Sequence, residues 1–274
     1  MKNCNRSVLE VRNLRITHQS KMRLVQPLNF TLDAGTCLGI VGESGSGKTL
    51  ICRSLMGLLP PTLKADGTAL FEGTDLLHAE SETMRSLRGC KIAMVMQQPM
   101  TAFDPLYTLG KQFMETMTAH GICDPVQAKQ LAIGLLERVR LANSEEVMNS
   151  YPHQLSGGML QRCMIALALI MKPAVIIADE PTTALDAETQ FEVVQQFLEL
   201  RKKHNTAMIF VSHDLGIVQC LADGLLVMKD GECVESGRAE DIFNAPQHPY
   251  TQYLISTRIA LTKNFRSVLE ICHD

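Results

Sequence analysis

The stretch Gly42-Glu43-Ser44-Gly45-Ser46-Gly47-Lys48-Thr49 fits the pattern G-x-x-x-x-G-K-S/T, and its surroundings give the match weight. Thr36 to Val41 before it is an apolar, strand-like run. Leu50 to Leu59 after it carries helical spacing that stops at Pro60-Pro61. A strand, a glycine-rich turn and a helix in that order make a cradle for phosphate. Glycines let successive backbone N–H groups turn inward, and the helix start adds the positive end of its dipole. Gly42, Glu43, Ser44, Gly45, Ser46 and Gly47 are therefore candidate phosphate-loop residues. Lys48 can reach the outer phosphates, and Thr49 offers a hydroxyl to Mg²⁺.

Working outward, Val8-Leu9-Glu10-Val11 and Asn29-Phe30-Thr31-Leu32 alternate apolar and polar residues, as half-buried strands do. Asp33-Ala34-Gly35 is a turn, Ala69 to Gly73 reads as a strand entering a turn, and Leu225–Val234 reads as strand-turn-strand around Asp230-Gly231. From about Glu80 to Ser150 the character changes. Helical patterns such as Val126–Leu141 dominate, punctuated by Pro105, Gly110, Gly121 and Pro125. The core resumes with an apolar helix, Met159–Met171, and two β-branched runs, Ala174–Ala178 and Thr206–Val211. The expectation is an α/β fold with a helical insertion. It places core and β-subdomain at about 1–85 and 160–236, a helical subdomain at about 86–159, and a tail at about 237–274, all within one domain.

Two further segments carry chemistry. Val175-Ile176-Ile177-Ala178-Asp179-Glu180 delivers a pair of carboxylates at the end of a buried strand, where ligands sit in α/β sheets. Asp179 suits Mg²⁺, and Glu180 suits orienting or deprotonating an attacking water. Ser156-Gly157-Gly158 opens a helix. That is either a plain N-cap or a second anion-binding surface.

Composition narrows the classes. The 274 residues carry 46% hydrophobic and 20% charged residues, an ordinary globular balance. A net charge of −3 with no long basic run speaks against nucleic acid as partner, because phosphate-backbone binding needs a clustered positive field. The nine cysteines form no CxxC pair, and the eight histidines show no ligand spacing. Reduced thiols are expected, with no metal beyond Mg²⁺. Met1-Lys2-Asn3-Cys4-Asn5-Arg6 does not open a signal peptide. No window approaches the roughly 20 apolar residues of a membrane-spanning helix.

Leu155-Ser156-Gly157-Gly158-Met159 with Leu160-Gln161-Arg162 resembles the signature sequence of ABC ATPases. Gln97, ending the apolar run Lys91–Met96, resembles their Q-loop. Ala184-Leu185-Asp186 resembles the D-loop, and His213 after the Thr206–Val211 run resembles the switch histidine. The resemblance covers essentially the whole chain. It implies a P-loop NTPase with a RecA-like core, an antiparallel β-subdomain and an inserted helical subdomain. It further implies ATP and Mg²⁺ as cofactors, with Thr49, Gln97 and Asp179 around the metal and Glu180, His213 and Gln97 serving hydrolysis. In such ATPases two chains pair head to tail, so Ser156, Gly157 and Gly158 would meet the γ-phosphate held by a partner chain. Where the family stacks an aromatic on adenine, this chain reads Ile16-Thr17-His18-Gln19. His18 is either a weak stacking partner or a solvated loop histidine.

Finer resemblance is to the peptide/nickel importer branch. Met96-Gln97-Gln98-Pro99-Met100-Thr101-Ala102-Phe103-Asp104-Pro105, Tyr151-Pro152-His153-Gln154-Leu155, Ile177 to Asp186 and the tail Phe243 to Thr251 carry it. Met159, where most relatives have Gln, resembles the first of two ATP-binding subunits and implies a second, non-identical one. The branch also implies two membrane permeases, an extracytoplasmic solute-binding protein, and a peripheral position on the cytoplasmic face of the inner membrane. Arg88-Gly89-Cys90-Lys91-Ile92-Ala93 and a short tail with the single Cys272 resemble nickel importers, with oligopeptide or dipeptide importers as the alternative and a non-transport assembly ATPase behind them. The segment Pro99–Leu109, with Phe103 and Tyr107 expected as an exposed apolar patch, is the expected permease contact.

Overall fold

Apolar residues alternate with polar ones along the first two strands, and a second sequence period, nearer 3.6, takes over in the middle of the chain. The computed structural model describes residues 7–122, 124–183 and 185–259. Ala184 of the D-loop candidate, Cys272 and the opening Met1–Arg6 lie outside them. In chain order the elements begin with β1 (Ser7–His18), β2 (Arg23–Asp33), β3 (Cys37–Gly42), α1 (Lys48–Leu55), β4 (Leu63–Phe71), β5 (Thr74–Asp75) and α2 (Ser81–Leu87). β6 (Ile92–Val95), α3 (Leu109–Ala119), α4 (Pro125–Arg138), α5 (Ser144–Asn149), α6 (Gly157–Ile170), β7 (Val175–Asp179) and α7 (Ala187–His204) follow. The chain then runs through β8 (Ala207–Val211), α8 (Leu215–Leu221), β9 (Gly224–Lys229), β10 (Glu232–Arg238), α9 (Ala239–Asn244) and α10 (Pro249–Ile259).

The chain divides into two units, one of residues 1–85 with 207–274 and one of residues 86–206. In the first, β2, β1, β4 and β5 form an antiparallel sheet whose inward residues Leu9, Val11, Leu14 and Ile16 are at most 1% exposed. β3 lies between β8 and β9, parallel to both, and β10 closes that side antiparallel to β9. β3 and β8 are buried along their full length, the mark of strands covered on both faces. Asp223 fastens the start of β3, accepting from the Cys37 N–H at 2.7 Å.

In the second unit β6 pairs in parallel with β7, from Ile92 opposite Val175 to Val95 opposite Ala178. Helices α3 to α7 complete it. α6 is apolar nearly all round, with Leu160, Cys163, Ile165 and Ala166 fully buried, so it forms the unit's core helix. α1 ends at Leu55, short of the expected Leu59, because Gly57 with φ of 60° turns the chain out before the prolines are reached.

Candidate phosphate-loop and carboxylate sites

Gly42 leaves β3 with φ of 148°, and a Cβ there would strike the Met228 carbonyl, so glycine alone lets strand end and loop pack this closely. Gly47, with φ of 96°, precedes α1, and Lys48 is its first residue. Lys48 is only 6% exposed. Its ammonium donates to the Gly42 carbonyl at 2.9 Å, the Glu43 carbonyl at 2.7 Å and Ser46 Oγ at 3.4 Å. The loop is thus wrapped around the cation it must present. Ser46 is buried, Thr49 half-buried, and Glu43, Ser44 and Gly45 are exposed at the rim.

A tyrosine more than two hundred residues away also reaches this loop. Tyr250, 7% exposed in the first turn of α10, accepts a hydrogen bond from the Glu43 N–H at 3.0 Å. The peptide unit that joins Gly42 to Glu43 is therefore tied at both ends, its N–H to Tyr250 and its carbonyl, that of Gly42, to Lys48. α10 is seated by Glu235 of β10, whose carboxylate accepts from the N–H groups of Gln247 at 2.8 Å and His248 at 3.0 Å. Lys229 Nζ lies 5.1 Å from the centre of the Tyr250 ring. In sequence the tail Phe243 to Thr251 carries only its resemblance to the importer branch, and nothing local marks Tyr250, because its partner lies 207 positions away.

His213 follows β8 and is exposed, one residue after buried Ser212. His18 is turned onto its own hairpin, where Nδ1 meets Ser20 Oγ at 2.8 Å and accepts from the Ser20 N–H at 3.1 Å.

The second unit gathers the carboxylate group. Asp179 ends β7 and is 1% exposed. Glu180 follows with φ of 49°, a left-handed backbone that costs a non-glycine residue energy and re-aims its side chain out of the strand line. Its Oε2 accepts from Thr183 Oγ1 at 3.0 Å and from Gln97 Nε2 at 3.4 Å. Gln97 and Glu180, 83 positions apart, are brought together as the pairing of β6 with β7 requires. The backbone before Gln97 is held by α6, since Met96 N–H donates to Met164 Sδ at 3.3 Å and Gln161 Nε2 to the Met96 carbonyl at 3.4 Å.

Ser156 is the N-cap of α6, its Oγ accepting from the Met159 N–H at 3.3 Å. Gly157 is exposed, and a Cβ there would meet nothing within 4 Å. Asp186 caps α7, and bonds from the Thr189 N–H and hydroxyl at 3.0 and 2.8 Å hold its carboxyl below the usual value. The expected patch at Pro99–Leu109 needs one correction. Phe103 is buried at 5% exposure, tucked under a loop that Gln112 staples through Asp104 and Tyr107. Its exposed apolar residues are Met100, Leu106 and Tyr107.

Residues 25–183 match the family described as ABC transporter, and residues 234–271 match the one described as Oligopeptide/dipeptide transporter, C-terminal region. The chain belongs to the ABC transporter ATP-binding family and has its fold, the P-loop NTPase core with antiparallel and helical subdomains. It is 44% identical to the Metal-staphylopine import system ATP-binding protein CntD of Staphylococcus aureus, over 96% of this chain and 97% of that one. It is 42% identical to the Oligopeptide transport ATP-binding protein OppD of Haemophilus influenzae, over 89% and 76%. Among solved structures, the dimeric ATP-binding cassette MJ0796 bound to ADP and Pi superposes with a TM-score of 0.75 at 26% identity, covering 84% of this chain and 98% of that one. The expected importer branch is borne out, and the chain is an ATP-binding import ATPase. Among the described residues no helix is long and apolar enough to cross a membrane.

Proposed function

We propose that this chain hydrolyses Mg·ATP to drive import of a metal–chelator complex, nickel or a nickel chelate foremost. The observation that carries the reading is its likeness to the metal-staphylopine import ATPase along nearly the full length of both chains. The loop from Gly42 to Gly47 with Lys48 holds the phosphates, and Glu180, steered by its unusual backbone and by Thr183, orients the attacking water. Thr49, Gln97 and Asp179 hold Mg²⁺. A hydroxyl, a carboxamide oxygen and a buried carboxylate are the hard oxygen donors that ion takes. His213 faces the γ-phosphate end, and Ser156 with Gly157 and Gly158 serves the ATP of a second, non-identical ATP-binding subunit.

Two permeases and an extracytoplasmic binding protein complete the assembly at the cytoplasmic face of the inner membrane. The subdomain plan is core and β-subdomain at 1–85 and 160–236, helical subdomain at 86–159, and a tail beyond. Met100, Leu106 and Tyr107, exposed on the Pro99–Leu109 segment, are offered to a permease. Peptide import is the second reading, favoured by the C-terminal match over 234–271. Reconstituted complexes in proteoliposomes separate the two: metal-chelate uptake coupled to ATP loss supports the first reading, and uptake of peptide alone refutes it.

A further inference from the structure

The described thiols sit in three different environments. Cys37, Cys52 and Cys163 are buried, and burial pushes the Cys163 thiol up to about 12. Cys220 and Cys233 donate to the carbonyls of Gly216 at 3.0 Å and Glu235 at 3.6 Å, and burial pushes the Cys233 thiol up. Cys90 differs from all five. Its sulfur lies 3.0 Å from His120 Nδ1, and both residues are half-buried. With the tautomer that leaves Nδ1 bare, the thiol donates to the imidazole. That is the arrangement in which a base activates a sulfur nucleophile.

The pair is built into the backbone on both sides. His120 is the C-cap of α3, its N–H bonded to the Thr116 carbonyl at 3.2 Å. Cys90 stands just before β6, where Gly89 donates to the Ile92 carbonyl at 2.9 Å. Gly89 has φ of 81°, and a Cβ at that position would sit 2.9 Å from His120 Nε2. The imidazole thus rests on the bare Cα of the residue preceding the thiol.

We propose that Cys90, activated by His120, is a modification site that exchanges with low-molecular-weight disulfides. Cys90 stands before the start of β6, at the strand end opposite Gln97 and Glu180, and plays no part in hydrolysis. In the reaction the Cys90 proton moves to His120 Nδ1 and the thiolate attacks one sulfur of the disulfide. The disulfide's S–S bond breaks as the Cys90 S–S bond forms, and the departing thiolate takes up a proton from the imidazolium. Nothing is consumed but the disulfide, and a dithiol reductant reverses the step. An adduct cannot share the gap to His120, so modification also severs the contact between the start of β6 and the end of α3.

The test uses the full-length reduced protein with glutathione disulfide, the modified cysteine being located by peptide mass spectrometry over time. Cys90 gains the adduct at least about tenfold faster than Cys220 and Cys233, a modest part of the 10²–10⁴ a positioned base supplies. His120→Gln keeps a polar side chain but cannot take the proton, and it slows Cys90 by a similar factor with an unchanged unfolding temperature. Dithiothreitol restores the unmodified mass. If wild-type Cys90 reacts no faster than half-buried Cys220, the proposal falls, and that comparison needs no variant to fold. An unaltered Cys90 rate in folded His120→Gln sinks it equally.

Discussion

Replacing Tyr250 by Phe removes one oxygen from beneath the phosphate loop and leaves the ring in place. The ring is 7% exposed and keeps its packing and its position under Lys229, so no cavity opens. What is lost is the 3.0 Å bond from the Glu43 N–H. A buried donor left without a partner costs about 1–3 kcal/mol. Because the Glu43 side chain is exposed and water can approach its peptide, the low end applies, about 1 kcal/mol. That energy bears on nucleotide binding because the same peptide unit presents the Gly42 carbonyl that holds Lys48 at 2.9 Å. A Glu43 peptide free to rotate must be ordered again when phosphate arrives, and about 1 kcal/mol corresponds to roughly fivefold in an equilibrium constant. Titration calorimetry of the isolated chain with ATP should show a weakening of that size. Tyr253→Phe, on the same helix but 60% exposed, should change nothing. ATP affinity and unfolding temperature both unchanged in Tyr250→Phe would refute the reasoning.

Lys48→Ala should abolish measurable ATP binding, whereas Glu180→Gln keeps binding and lowers turnover by roughly 10²-fold or more; wild-type hydrolysis in Glu180→Gln would remove that carboxylate from the mechanism. Gly157→Asp has room for its side chain, so it should fold and bind ATP normally as an isolated chain, yet lower the ATPase rate of the assembled complex by about 10²–10³-fold. Loss of ATP affinity in the isolated variant as severe as that of Lys48→Ala would mean the signature acts within its own chain. Asp186, with its folded pKa depressed first by the Thr189 N–H and then by the Thr189 hydroxyl, lends α7 stability that is complete above the ordinary value of 3.8 and fades as pH falls through the lower folded value. Asp186→Ala should therefore unfold at lower temperature at neutral pH, with the gap to wild type closing under strongly acidic conditions.

The parts of this molecule that were legible in advance are those written in local code. The phosphate loop needs glycines and a lysine at fixed spacing, and strand-loop-helix context is set by neighbours in sequence, so Gly42 to Thr49 could be placed from the letters alone. Ser156 as an N-cap and Asp179 at a buried strand end were legible for the same reason. Phe103 was misjudged because proline boundaries speak to backbone, not to which way an aromatic ring turns. Here Gln112, from the following helix, closes the loop over it. Tyr250 and the Met96 clamp went unseen because each depends on an element remote in sequence. The left-handed backbone of Glu180 is carried by a residue whose type gives no sign of it.

The bond between Tyr250 and Glu43 also has a history, since its two ends are made at different times. They stand 207 positions apart. At roughly 5–20 residues per second, the ribosome finishes the loop about 10–40 s before it makes the tyrosine. Throughout that interval the nascent chain has its glycines and its lysine but not the hydroxyl that steadies them. α10, late in the order of synthesis, therefore acts as a check on the loop made long before it. A chain cut short before α10 would carry every residue of the nucleotide cradle and still lack its final fastening, which makes early termination a way to produce a weakened motor rather than a rogue one.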